Sequence, residues 1–113
     1  MVEVFEMDDL KPETSQFVRY DEGYYYGWHR DASKVPIEAK GGDIHKRVVS
    51  STILLNSDFK GGEFQIKETK NGNIITLDME RGDMVVFKSN LYHQINKVTD
   101  GVRNSIVTWF RKN

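Results

Sequence analysis

The chain has no cysteine among its 113 residues. That absence excludes disulfides, zinc ribbons and iron–sulfur clusters, so any metal has to be held by histidine and carboxylate. A run long and apolar enough to span a bilayer is also missing, and so are a signal peptide and a lipidation motif. The cytoplasm, a reducing compartment, is the expected location. Neither sign of charge is in excess: 16 basic residues face 17 acidic ones, a net charge of −1. Nucleic acid and membrane are therefore not expected partners. Internal repeats, low-complexity segments and windows with a 3.6-residue hydrophobic period are lacking too, which argues against amphipathic helices.

What is present is a soluble globular composition, 29% charged and 38% hydrophobic, of a length suited to one domain. Such a chain buries about two-thirds of its unfolded surface, enough for one core. Residues 47–56 (Arg-Val-Val-Ser-Ser-Thr-Ile-Leu-Leu-Asn) are rich in β-branched side chains and read as a strand. Shorter strands are expected over residues 2–6, 16–20, 24–31, 63–67, 74–79, 84–88 and 103–111, with a loop or single turn over 7–13. Asn71-Gly72 predicts a tight hairpin with positive φ, and Asp100-Gly101 a second hairpin-type turn. Strands at this spacing with turn residues between them predict an all-β sandwich or barrel. The longest irregular stretch, residues 32–46, is either a flexible lid or a plain surface loop. His45, within it, reads as an exposed histidine.

The chemistry centres on residues 20–31, dense in aromatics and ending His29-Arg30-Asp31. In an extended chain His29 and Asp31 share a face, with Cα atoms about 7 Å apart, and an imidazole and a carboxylate so placed can grip one cation. A third candidate ligand, His93, follows a short loop further along. Ten residues later stand Arg103 and, two positions on and on the same strand face, Ser105. Two histidines and one aspartate make the facial triad of non-haem Fe(II) oxygenases, which leaves coordination positions open.

The motifs Arg19-Tyr20…Gly23…Tyr26…His29-x-Asp31, Arg47…Leu55-Asn56, Phe59-x-Gly61-Gly62-Glu63-Phe64, Gly82-Asp83-x-Val85-Val86-Phe87, His93…Thr99-x-Gly101-x-Arg103 and Trp109 occur in one order. In them the chain resembles Fe(II)- and 2-oxoglutarate-dependent dioxygenases of the prolyl-4-hydroxylase-like, bacterial and phage PKHD type. The resemblance implies an all-β double-stranded β-helix, or jelly roll, with few or no helices, and a single catalytic domain over residues 1–113. Only 18 residues precede Arg19, where helices usually precede this fold. Either this is a minimal core, or part of the protein is missing, or a partner covers that face, self-association into a homo-oligomer being one such arrangement.

The resemblance also implies a reaction. An unactivated C–H bond of a prolyl or other protein residue, or of a small molecule, is hydroxylated, while 2-oxoglutarate and O₂ are consumed and succinate and CO₂ released. Fe(II) would be held by His29, Asp31 and His93, and ascorbate would serve as reductant. Arg103 would offer its planar fork to the distal carboxylate of 2-oxoglutarate. Ser105 would add a hydroxyl donor there, or else is an outward strand serine. Tyr20 would reach the same cosubstrate, or else is a core aromatic. Trp28 and Arg30, flanking the ligands, either line a substrate groove or pack as ordinary surface and core. Gly27 either leaves room for the cosubstrate or marks a bulge, and Trp109 and Phe110 read as core rather than site. The competing function is a catalytically silent cupin-like module that binds a metal or a small acid.

Overall fold

A computed structural model describes residues 10–32 and 46–112. The strand expected over residues 2–6, most of the lid or loop expected over 32–46, and His45 lie outside the described residues.

Eleven strands are present among the described residues: β1 (Leu10–Pro12), β2 (Gln16–Tyr20), β3 (Tyr26–His29), β4 (Arg47–Leu54), β5 (Lys60–Gly61), β6 (Phe64–Lys67), β7 (Ile75–Leu77), β8 (Met84–Lys88), β9 (Tyr92–Ile95), β10 (Val98–Asp100) and β11 (Arg103–Lys112). No α-helix occurs among them. The larger sheet runs β1-β11-β4-β8, with β2 also on β11; the second runs β3-β9-β6-β7; β5 and β10 form a small ribbon. All pairings are antiparallel. Two antiparallel sheets facing each other across a cavity make the jelly roll that the sequence suggested.

The longest strand, β11, is the spine. Its first half pairs with β2 (Arg103↔Tyr20, Ser105↔Val18) and its last residues with β1. Along its other edge runs β4, in the register Ser105↔Leu54, Val107↔Thr52 and Trp109↔Ser50. Side chains alternate faces along a strand, so Arg103, Ser105, Val107 and Trp109 all point between the sheets. Residues drawn from far-apart stretches of sequence thus meet on one wall.

The interior is unusual for a core. Six apolar residues are buried among those described, Ala32, Val49, Leu54, Phe64, Phe87 and Val98. Against them stand seven polar or charged ones, Ser50, Ser51, Thr52, Ser89, His93, Arg103 and Ser105. Buried polar groups cost free energy unless partnered, so an interior this polar is a site as much as a packing nucleus. Phe64 and Phe87 form its apolar floor, with ring centroids 5.4 Å apart.

Three local expectations change. The hairpin between β6 and β7 does not use positive φ at Asn71-Gly72: neither residue adopts it. Gly72 N–H donates to Thr69 O instead, in a wider turn that relieves the need for a left-handed pair. The stretch Leu10–Pro12, expected as loop, is the edge strand β1. Its Pro12 is tolerated because an edge strand does not need every N–H. The third change concerns β3, which spans only Tyr26–His29 and has a register irregularity against β9. Strict alternation would put Tyr26 and His29 on opposite faces. The irregularity, an extra-residue offset of the β-bulge kind, turns both toward the cavity, where their rings stack at 3.8 Å.

Candidate metal centre and cosubstrate cavity

His29 and His93 are directly paired across β3 and β9, with ring centroids 4.1 Å apart. Asp31 lies just past the end of β3, where its N–H donates to Ser89 O at 2.9 Å. That bond swings the carboxylate inward. Asp31 Oδ1 then sits 3.1 Å from His93 Nε2 and 3.4 Å from His29 Nε2. The three ligand atoms all lie within 4.8 Å of one another.

The outer ring nitrogens fix the tautomers. His29 Nδ1 is 2.7 Å from Gly27 O, and His93 Nδ1 is 2.9 Å from Leu91 O. A carbonyl can only accept, so both Nδ1 atoms carry hydrogen, and in the neutral rings both Nε2 lone pairs face the carboxylate. Two nitrogen lone pairs and a carboxylate oxygen converging on one point need a proton or a cation between them. Imidazole and carboxylate with a fixed tautomer is the donor set of a first-row transition metal, and the backbone carbonyls supply the outer bonds that orient such ligands. The residues fit Fe(II).

Asp31 is held as an anion. Burial alone would raise its pKa, but with protons rather than a metal on the two Nε2 atoms, hydrogen bonds from His29, His93 and Ser50, together with the charge of protonated His93, hold it well below the usual carboxylate range. Its other oxygen, Oδ2, accepts from Ser50 Oγ at 2.6 Å and from Trp109 Nε1 at 2.9 Å.

The cavity beside these ligands has a volume of about 350 Å³ and is lined by Tyr20, Tyr26, Phe64, Phe87, Arg103 and Ser105, among others. Arg103 is only 3% exposed. Its Nε donates to Gly62 O at 2.8 Å, and no acidic side chain among the described residues pairs with it. Burial draws its pKa down, opposed by neighbouring Tyr20; burial raises the Tyr20 pKa, partly offset by Arg103. A buried guanidinium without a counter-charge is costly, and a dicarboxylic acid entering the cavity would supply one. Ser105, one alternation along the same face of β11, is 2% exposed.

The structure therefore brings together His29, Asp31, His93, Arg103, Ser105 and Tyr20. It does not bring Trp28 and Arg30 to them. Both project from the opposite face of their sheet, where Lys67 Nζ sits 4.1 Å from the Trp28 ring centre and Arg30 stacks 5.2 Å from that of Tyr92. Two further residues, neither named among the site residues from sequence, do reach the site. Trp109, read as core, donates to Asp31, and Ser50, a serine inside a β-branched strand, does the same. The only available signal was register: Ser50 is the residue opposite Trp109.

A jelly roll with two histidines and one aspartate converging inside it has the makings of a metal centre. Residues 15–111 match the family model of the 2OG-Fe(II) oxygenase superfamily, and the chain belongs to that superfamily. A PKHD-type hydroxylase of Rippkaea orientalis is 38% identical over 95 residues, which cover 82% of this chain and 40% of that protein. The chain thus spans about two-fifths of the length of such relatives. Among solved structures, an oxidoreductase of the 2OG-Fe(II) oxygenase family from Burkholderia pseudomallei superposes with a TM-score of 0.77 at 20% identity, covering 92% of this chain and 44% of the other. A prolyl-4-hydroxylase from Pseudomonas putida gives 0.74 at 24% identity, covering 96% and 56%. At these identities the structural likeness speaks for the fold.

Proposed function

We propose that the chain is a single catalytic domain of a hydroxylase that uses Fe(II), 2-oxoglutarate and O₂, and that its substrate is a prolyl or other residue of a peptide. The observation that carries this reading is the buried Arg103, unpaired by any described acid, in the same cavity as His29, Asp31 and His93. A pure metal binder has no use for a buried carboxylate fork.

The residues divide the work. His29 Nε2, Asp31 Oδ1 and His93 Nε2 would hold the metal on one side, leaving the other open. Bound Fe(II) supplies the site at which O₂ is reduced at the expense of 2-oxoglutarate, which leaves as succinate and CO₂. Arg103 binds the distal carboxylate through charge-assisted hydrogen bonds, and Tyr20 and Ser105 offer hydroxyls beside it. Phe64 and Phe87 wall the cavity with apolar surface and keep water from the reacting atoms. Tyr26, which lines the cavity, is 50% exposed. Aromatic faces of this kind pack well against proline rings, and the Pseudomonas putida neighbour is a prolyl-4-hydroxylase. Both support a peptidyl proline as substrate.

The test is anaerobic addition of Fe(II) and 2-oxoglutarate, which should give a visible charge-transfer band, followed by succinate release when O₂ is admitted. Asp31→Ala should abolish both with the fold retained. Metal binding without the band would instead leave a cupin-like metal or small-acid binder, and undiminished succinate from Asp31→Ala would refute the triad.

A further inference from the structure

Both oxygens of Asp31 have assigned partners, and the two sets differ in kind. Oδ1 faces the two Nε2 atoms, whereas Oδ2 faces only donors, Ser50 Oγ–H at 2.6 Å and Trp109 Nε1–H at 2.9 Å. An ionised carboxylate has about two lone-pair sites on each oxygen, so these two bonds fill Oδ2.

Each donor is itself held. Ser50 gives its one hydrogen to Asp31. The Ser89 Oγ lying 2.9 Å from Ser50 Oγ must therefore donate to it, and both serines are fully buried. The same Ser89 accepts the backbone N–H groups of Asp31 and Ala32 through its carbonyl oxygen. On the other side, the Arg47 guanidinium lies over the Trp109 ring at 4.0 Å from its centre. Arg47 is in turn forked onto Glu13 at 2.7 and 2.9 Å, and Glu13 N–H donates to Trp109 O at 2.8 Å. The indole is clamped from above with its N–H aimed at one oxygen.

Resting on the metal-centre reading above, we infer that Trp109 and Ser50 are positioning residues that make Asp31 a one-oxygen ligand. With Oδ2 saturated, a metal takes Oδ1 alone. A free Oδ2 would swing in as a second ligand and occupy a position that the cosubstrate or O₂ needs. The device acts through the geometry of the aspartate and touches neither 2-oxoglutarate nor substrate.

The experiment uses Co(II) alone, with 2-oxoglutarate and O₂ both absent, so a failure of the dioxygenase reading does not imitate its result. Trp109→Phe keeps an aromatic ring under Arg47 and removes only the N–H; Ser50→Ala removes the second donor. Each variant is expected to change Co(II) affinity by about 10-fold, the usual scale for an outer-shell partner. Each should also alter the visible ligand-field absorption of the bound Co(II), which reports the number of ligands and which a merely structural role would not move. Folded variants with unchanged affinity and an unchanged spectrum overturn the proposal. Should either variant fail to fold, the wild-type chain answers by NMR with Zn(II). Of its two tryptophan indole N–H signals, one is expected to be protected from solvent exchange and to shift on Zn(II) addition. Two freely exchanging signals indifferent to Zn(II) overturn the proposal equally.

Discussion

Arg103 and Gly62 are fitted to each other. The arginine Nε donates to the glycine carbonyl at 2.8 Å, and a Cβ built on Gly62 would lie 2.9 Å from Arg103 Cδ, 3.2 Å from Phe59 and 3.3 Å from Val98. Gly62 also has φ +65°, where an L side chain costs about 1–2 kcal/mol. Gly62→Ala should therefore lose about that much stability in urea denaturation and displace the guanidinium. The 2-oxoglutarate requirement should rise about 10-fold, which corresponds to roughly 1.4 kcal/mol, while Co(II) affinity stays near wild type. An unchanged requirement would mean that the guanidinium does not meet the cosubstrate.

Removing the guanidinium outright separates its binding role from a structural one. In Arg103→Ala the half-saturating 2-oxoglutarate concentration should rise about 10- to 100-fold, as expected for losing about 1.5–3 kcal/mol of hydrogen bonding to a charged group. Anaerobic titration of the metal-loaded protein measures it, alongside Co(II) affinity. If the two affinities fall together, the arginine supports the fold rather than the ligand.

Phe64 joins the core to the centre. It is 4% exposed, packs on Phe87, and lies 5.8 Å from the His93 ring at a 20° interplanar angle. Phe64→Ala should cost about 3–5 kcal/mol, a large part of the roughly 5–15 kcal/mol that holds a domain together. Loss of Co(II) affinity should accompany it, because His93 loses a wall. Chemical denaturation with and without Co(II) reads both, and a cost under about 1 kcal/mol would mean that the floor collapses to fill the gap.

The depressed pKa of Asp31 makes a signed prediction for the metal-free protein. The unfolded chain takes up this proton near the ordinary aspartate value of about 3.9, and the folded chain only at lower pH. Stability from the ionised carboxylate is thus fully present above that value and is lost as pH falls toward the folded pKa. In EDTA-treated protein, the stability difference between wild type and Asp31→Asn should shrink as pH is lowered from about 5 toward 2. Parallel pH profiles for the two proteins would contradict it.

The sequence carried the candidate ligands well and the residues around them poorly. His29, Asp31, His93 and Arg103 are chemically distinctive residue types in a recognisable order, so their convergence could be read before any coordinates. Ser50 and Ser89 look like any polar residues near strands, and Trp109 like any core aromatic. Their role exists only through the β4–β11 register and the bend after β3, which are tertiary facts. The inward turn of Tyr26 was hidden for a related reason: a bulge breaks the period-two rule on which a face assignment depends. Trp28 and Arg30 were grouped with the ligands by proximity in sequence, and one step along a strand is enough to reverse a side chain.

The strand β11 lies between β1 and β2 on one edge and β4 on the other, and it carries both Arg103 and Trp109. Synthesis delivers it after His29, Asp31 and His93. The finished centre therefore depends on insertion of the late-made strand into the middle of the sheet, 78 residues downstream of the aspartate that its indole steadies. A nascent chain that has already exposed His29, Asp31 and His93 still lacks Arg103 and the Trp109 bond to Asp31, so this cluster of side chains is complete only when the fold has closed.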